Sequence, residues 1–167
     1  MIKLVELHTK YKKQFNKMME EWTNYNEVII PYALTKIDYK YFDIYKEQIE
    51  ILESNRVKAR SKLFFCLDTK TNKFVGAVVI RLHLTNDLLE RGGHISDGIL
   101  PSERNKGYGT MIVKLAIEKC REYGIDKILM VCEKNNLASS KTIIKNNGIL
   151  DNEIQLGNKI IQRYWIN

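Results

Sequence analysis

The period at which apolar residues recur changes along this chain, and the changes divide it into elements. Residues 2 to 7 alternate as a strand does, whereas Tyr11, Phe15, Met18, Met19 and Trp22 return every three or four positions, the spacing of one helix face. Residues 28 to 34 surround Pro31, which breaks a helix, and Thr35 followed by Asp38 has the form of a capping box ahead of a second helix carrying Phe42, Tyr45, Ile49 and Leu52. Two apolar runs, Leu63 to Leu67 and Phe74 to Leu84, flank the polar stretch 68 to 73, which suits the turn of an antiparallel hairpin. Residues 84 to 93 read as a connection with a short helical turn at 87 to 90, and after Gly92-Gly93 the stretch His94 to Leu100 is the next strand.

From Tyr108 to Tyr123 the apolar Ile112, Val113, Ala116, Ile117 and Cys120 share one helical face, opposite Lys114, Glu118, Arg121 and Glu122, and Gly124 suits the stop. Residues 128 to 132 are apolar without interruption, as in a strand covered on both faces, so residues 94 to 132 predict a βαβ crossover with parallel strands. Asn135 or Asn136 then caps a helix running to about Asn147, Gly148 ends it, and 149–154 and 159–166 form two last strands around the Gly157-Asn158 turn. The order β1-α1-α2-β2-β3-β4-α3-β5-α4-β6-β7 predicts a mixed α/β fold with a mostly antiparallel sheet.

Composition narrows this further. A chain of 167 residues, 44% hydrophobic and 28% charged, has the length and apolar content of one domain spanning residues 1–167. No apolar run approaches the roughly 18 residues that cross a bilayer, and the opening residues alternate like a strand rather than a signal peptide, so a cytoplasmic protein is expected. Cys66, Cys120 and Cys132 lie in apolar stretches without metal-ligand spacing, which predicts buried reduced thiols and no metal. The net charge of +7 suits an anionic partner, either a nucleic acid or a polyphosphate cofactor. Because the lysines are scattered, with no basic run of five or more and no nucleic-acid motif, a solvated surface accounts for them and nucleic-acid binding rests on charge alone.

Candidate chemistry centres on Arg104-Asn105-Lys106-Gly107-Tyr108-Gly109-Thr110, which follows the strand at 94–100 and opens the helix at 108. Gly107 and Gly109 have no Cβ, so a diphosphate can approach the backbone at the positive end of the helix, and Arg104 and Lys106 add charge. Taken with Ile99-Leu100-Pro101 before it and Asn136 and Ser139 after it, the run resembles the GNAT superfamily of acyl-CoA N-acyltransferases, whose signature is a strand ending in V-x-P, then R/Q-x-x-G-x-G/A at a helix start, then a strand and an Asn-led helix. The resemblance covers residues 74 to 150 and reaches the N-terminal third only in the order of elements. It implies a parallel strand pair that splays apart, with the pantetheine arm of acetyl-CoA entering the gap against the backbone of Ile99 and Leu100. It also implies that Pro101, the 104–110 loop, Asn136 and Ser139 complete the cofactor site, and that the Ile99 N–H acts as oxyanion donor.

Acyl transfer to an amine requires a neutral nucleophile, an oxyanion donor and a proton for the departing thiolate. Asp97 and His94, on or beside the cofactor strand, are the candidate bases, and their odd separation places them on opposite faces. Asp97 is nearer the expected thioester; a structural role after the Gly-Gly turn is the competing reading of His94. His83, Glu90 and Glu133 are weaker candidates. Many family members carry a tyrosine on the Asn-led helix that could protonate the thiolate, but here the corresponding positions hold Ile143 and Ile144, leaving Ser139, Ser140 or water. The acceptor groove is expected from Tyr25, Tyr32 and Tyr39 and from residues 85 to 93, where Asp87 and Glu90 would attract a cation; packing is the competing reading of the tyrosines. These features predict an N-acetyltransferase, monomeric or homodimeric, acting on a primary amine of a small molecule or peptide. The substituted tyrosine keeps open a non-catalytic acyl-CoA-binding sensor.

Overall fold

The structure, a computed structural model, describes residues 1–54 and 61–167. Its elements are β1 (Ile2–Val5), α1 (Lys12–Asn24), α2 (Phe42–Ser54), β2 (Ser61–Asp68), β3 (Lys73–Arg81), α3 (Asn86–Arg91), β4 (Ile95–Ile99), α4 (Tyr108–Glu122), β5 (Ile128–Glu133), α5 (Leu137–Lys145), β6 (Ile149–Leu156) and β7 (Lys159–Ile166). The strands form two sheets, an antiparallel β1-β2-β3-β4 and an antiparallel β5-β7-β6. Mixed α/β architecture and element order therefore agree with the sequence reading, and the parallel pair β4 and β5 splays as expected, dividing the sheet between them.

That division positions the site. Strands β4 and β5, joined by α4, start together: His94 N–H donates to Leu129 O at 2.7 Å, and Leu129 N–H donates back to His94 Nδ1 at 2.9 Å. Beyond this contact the ladder between them is not continued, so the parallel pair opens toward Ile99 and Glu133. Gly93 makes the approach possible, since it has φ +68° and a Cβ there would lie 2.6 Å from Leu129 O.

Side chains of β2 and β3 are buried on both faces, which their near-continuous apolar runs require. One core lies under α1 and α2, where Phe15, Trp22, Leu34, Tyr45, Phe65 and Val79 pack together. The other lies under α4 and joins the two sheets through Ile112, Val113, Ala116, Ile128, Ile143 and Tyr164. Cys66, Cys120 and Cys132 are free and buried in this second core. Among the described residues no helix is long and apolar enough to cross a membrane, and no group of His, Cys, Asp or Glu is arranged to hold a metal ion.

Several boundaries differ from the periodic reading. β1 stops at Val5, and β3 stops at Arg81, whose side chain turns inward to donate to Gly92 O and Gly93 O at 3.0 Å each. Thr35 and Asp38 do not cap α2: the Thr35 hydroxyl donates to Tyr32 O, Asp38 Oδ1 accepts from Lys40 N–H at 2.9 Å, and the helix begins only at Phe42. Local side-chain-to-backbone bonds have captured both residues in turns.

Candidate active site

In an antiparallel pair, alternate residues turn their backbone groups to the partner strand. On β4 and its flanks the even-numbered positions face β3: Arg81 N–H donates to His94 O at 2.7 Å, and Leu100 N–H donates to Val75 O at 2.9 Å. By the same alternation Asp97 and Ile99 turn their N–H and C=O groups toward the gap beside β5. The side chain of Asp97 lies on the α4 face of the sheet with those of Ile95 and Ile99.

The gap widens into a groove of about 700 Å³. Asp97, Gly98 and Ile99 of β4 and Met130 of β5 line its depth, residues 103–105 and 107–110 one rim, and Ala138, Ser139, Lys141, Thr142 and Lys145 of α5 the other. Trp22, Glu27, Val28 and Ile30 close one end. This end is built on Gly98, because an added Cβ would stand 1.8 Å from Ile30 O and 3.3 Å from Trp22 Cζ2. The segment after α1 thus lies directly on the backbone of β4.

Burial pushes the Asp97 carboxyl up to about 6, against a weaker opposing hydrogen bond from its own backbone N–H. It is a partly buried acid lining the groove. Glu27, by contrast, is held below the usual carboxylate range, chiefly by hydrogen bonds from the Arg104 guanidinium. Arg104 Nη1 donates to Glu27 Oε2 at 3.0 Å, Nη2 donates to Oε1, and Nε donates to Ile99 O at 3.2 Å.

The rim has the form of an anion cradle. Gly107, at φ +81°, precedes α4, whose first amides have no helical carbonyl within reach. No atom lies within 4 Å of the position a Gly107 Cβ would take, and at Gly109 the nearest is Thr142 Oγ1 at 3.6 Å. The cradle is therefore open to an approaching ligand, with Arg104, Lys141 and Lys145 around it. Asn146 fixes its two walls together by donating to Thr110 O at 3.1 Å and Thr142 O at 2.9 Å.

Of the residues that the sequence nominated, Asp97, Ile99, Arg104, Asn105, Gly107, Tyr108, Gly109, Thr110, Asn136 and Ser139 line this groove. Asn136 also caps α5 by accepting from Ser139 N–H at 3.1 Å. Four others lie outside the groove. Leu100 does not line it: its N–H donates to Val75 O and its carbonyl accepts from Glu103 N–H. Pro101 begins a single 3₁₀ turn outside the groove, and Lys106 is turned to Glu103, its Nζ donating at 2.9 Å. His94 also lies outside, buried at the closed start of the strand pair, its pKa lowered by burial and by Arg81.

Residues 85–93 likewise do not reach the groove. α3 packs against β5 and β7, and Asp87 pairs with Arg91. Glu133 pairs with Lys159. Of the three expected acceptor-side tyrosines none lines the groove; Tyr39 shares a hydrogen bond with Thr23, and Tyr25 and Tyr32 are exposed. Ile143 is buried and Ile144 exposed, while the Ser140 hydroxyl is engaged with Leu137 O, leaving Ser139 as the groove-lining serine of α5. The periodic reading missed Glu27, Val28, Ile30, Met130, Lys141, Thr142 and Lys145. Positions 138, 141, 142 and 145 recur at helical spacing, so the α5 stripe follows once Asn136 and Ser139 fix which face meets the cradle.

Comparison with known proteins decides the family. Residues 17–143 match the Acetyltransferase (GNAT) family. The chain belongs to the GNAT acetyltransferase family. No curated protein is significantly similar to it in sequence. Among solved structures it is similar to a variant of the spermidine N-acetyltransferase SpeG from Vibrio cholerae, at TM-score 0.68 and 14% identity, over 99% of this chain and 92% of that one. It is also similar to the microcin C7 self-immunity acetyltransferase MccE in complex with acetyl-CoA and AMP, at TM-score 0.66 and 16% identity, over 99% of this chain and 91% of that one. At these identities the likeness is one of fold, and the groove between β4 and β5 is where this GNAT domain departs from a continuous sheet.

Proposed function

We propose that this GNAT domain is an acetyl-CoA-dependent N-acetyltransferase acting on a primary amine. The observation that carries the reading is the placement of one partly buried carboxyl, Asp97 at about 6, in the same groove as an open phosphate cradle. When bound, acetyl-CoA supplies an acetyl group activated as a thioester. The α4 amides, Arg104, Lys141 and Lys145 would hold its phosphates, and the gap-facing backbone of Ile99 its pantetheine arm.

An amine with a pKa of about 10.4 arrives as ammonium at neutral pH and must lose a proton before it can attack. Asp97, ionised above about 6, is the base that takes it, directly or through one water. The Ile99 N–H faces the gap and would donate to the carbonyl oxygen as charge develops there. With isoleucine at positions 143 and 144, the Ser139 hydroxyl or water would return a proton to the thiolate. A thiol with a pKa near 8.5 makes a modest demand on that donor.

The test is release of CoA thiol with a panel of small amines and peptides. Turnover with an amine, lowered roughly 10²-fold by Asp97→Asn, supports the enzyme. The substituted tyrosine favours a second reading, a non-catalytic acyl-CoA sensor, and acetyl-CoA binding with no turnover on any amine would select it.

A further inference from the structure

The Arg104–Glu27 pair joins two walls of the groove. Arg104 belongs to the rim that carries the cradle, and Glu27 to the segment after α1 that also lines the groove. The guanidinium is spent three ways: both terminal nitrogens on the Glu27 carboxylate and Nε on the Ile99 carbonyl. Ile99 O is one of the gap-facing backbone groups, so Arg104 covers the strand edge as well as the acid. Trp22, which lines the same groove as Glu27, stands against Gly98 beneath the same segment.

A guanidinium binds carboxylate and phosphate through the same planar fork, so it cannot give both terminal nitrogens to Glu27 and to a diphosphate together. We propose that Glu27 is an internal stand-in for the donor's diphosphate: donor binding draws Arg104 away, uncovers Ile99 O, and frees the 25–30 segment from the cradle. The pair is thereby broken only once the donor is in place. This rests on the donor site described above and adds to it an internal competitor for the donor.

The test is a double-mutant cycle on acetyl-CoA affinity by titration calorimetry, with amide exchange over residues 24–30 as a second readout. Glu27→Gln and Glu27→Ala should tighten acetyl-CoA binding about three- to fivefold, the range for loss of a competing surface ion pair. In an Arg104→Ala background the same changes should have no effect. Exchange over 24–30 should rise when acetyl-CoA is added to the wild type and be raised already in Glu27→Gln. Unchanged or weaker affinity in both Glu27 variants, an effect that persists without Arg104, or protection of 24–30 by acetyl-CoA overturns the stand-in and leaves the donor site intact. Absence of acetyl-CoA binding to the wild type overturns the donor site itself.

Discussion

A carboxylate that removes a proton from an ammonium works best when its own acidity is close to the operating pH, and burial gives Asp97 that property. With an acceptor in hand, Asp97→Asn should lower kcat by roughly 10²-fold while acetyl-CoA affinity stays near wild type. The wild-type rate should fall as pH drops through about 6, and the variant's deficit should shrink at high pH as free amine accumulates. The same carboxyl has a stability signature. Its folded pKa of about 6 lies above the open-chain value of about 3.9, so its favourable contribution is complete below pH ~4 and is lost as pH rises through about 6. Asp97→Asn should therefore be more stable than wild type at pH 7, by up to about 3 kcal/mol, with the gain gone near pH 4, as denaturant titrations at the two pH values would show. Full activity of the variant at neutral pH would remove Asp97 from the chemistry. The sequence placed Asp97 on the strand and His94 across from it. What it did not contain is the groove that Asp97 lines and His94 does not, because that groove is assembled from Trp22, Ile30 and Met130, distant along the chain.

Elements were legible where one face was apolar and the ends carried their own stop signals. Strand β5 and helix α4 are of this kind, α4 ending before Gly124 at φ +77°. The segment between α1 and α2 was not legible, since its course is set by contacts made elsewhere. Gly98 shows why: it reads as one more strand residue, yet its missing side chain is what admits Ile30. Gly98→Ala should destabilise the fold by about 1–3 kcal/mol through overpacking and displace the Glu27 wall, so melting temperature and kcat/KM should fall together. Gly109→Ala provides the contrast. A Cβ there meets Thr142 Oγ1 at 3.6 Å and Ile99 Cγ1 at 4.0 Å, both ordinary contacts, and alanine favours the first turn of α4, so stability should hold or rise by roughly 0.5–1 kcal/mol while acetyl-CoA binding weakens. Loss of stability without loss of binding in Gly109→Ala would show that this glycine serves packing and not the cradle.

At the scale of the whole molecule, two sheets meet at one reciprocal pair of hydrogen bonds and share the core beneath α4. A period count recovers the strands on either side but not the seam, because splaying is a relation between strands and leaves no mark on the pattern of either. Replacing His94 by alanine leaves the buried Leu129 N–H without its acceptor and should cost about 1–3 kcal/mol, while the pH dependence of turnover keeps its shape. The open side of that seam is the proposed donor site, whose occupancy would couple to global stability. Ligand binding only the folded chain stabilises it by about 2.7 kcal/mol at one hundred times its Kd. For a domain of this size each kcal/mol raises the melting temperature by about 2–4 °C, so saturating acetyl-CoA should shift it by about 5–10 °C. Arg104→Ala should reduce that shift at a fixed acetyl-CoA concentration, because removal of one charge-assisted contact weakens binding by about 1–3 kcal/mol. A wild-type protein whose melting does not respond to acetyl-CoA, and which shows no heat of binding, would place the cradle outside the chemistry.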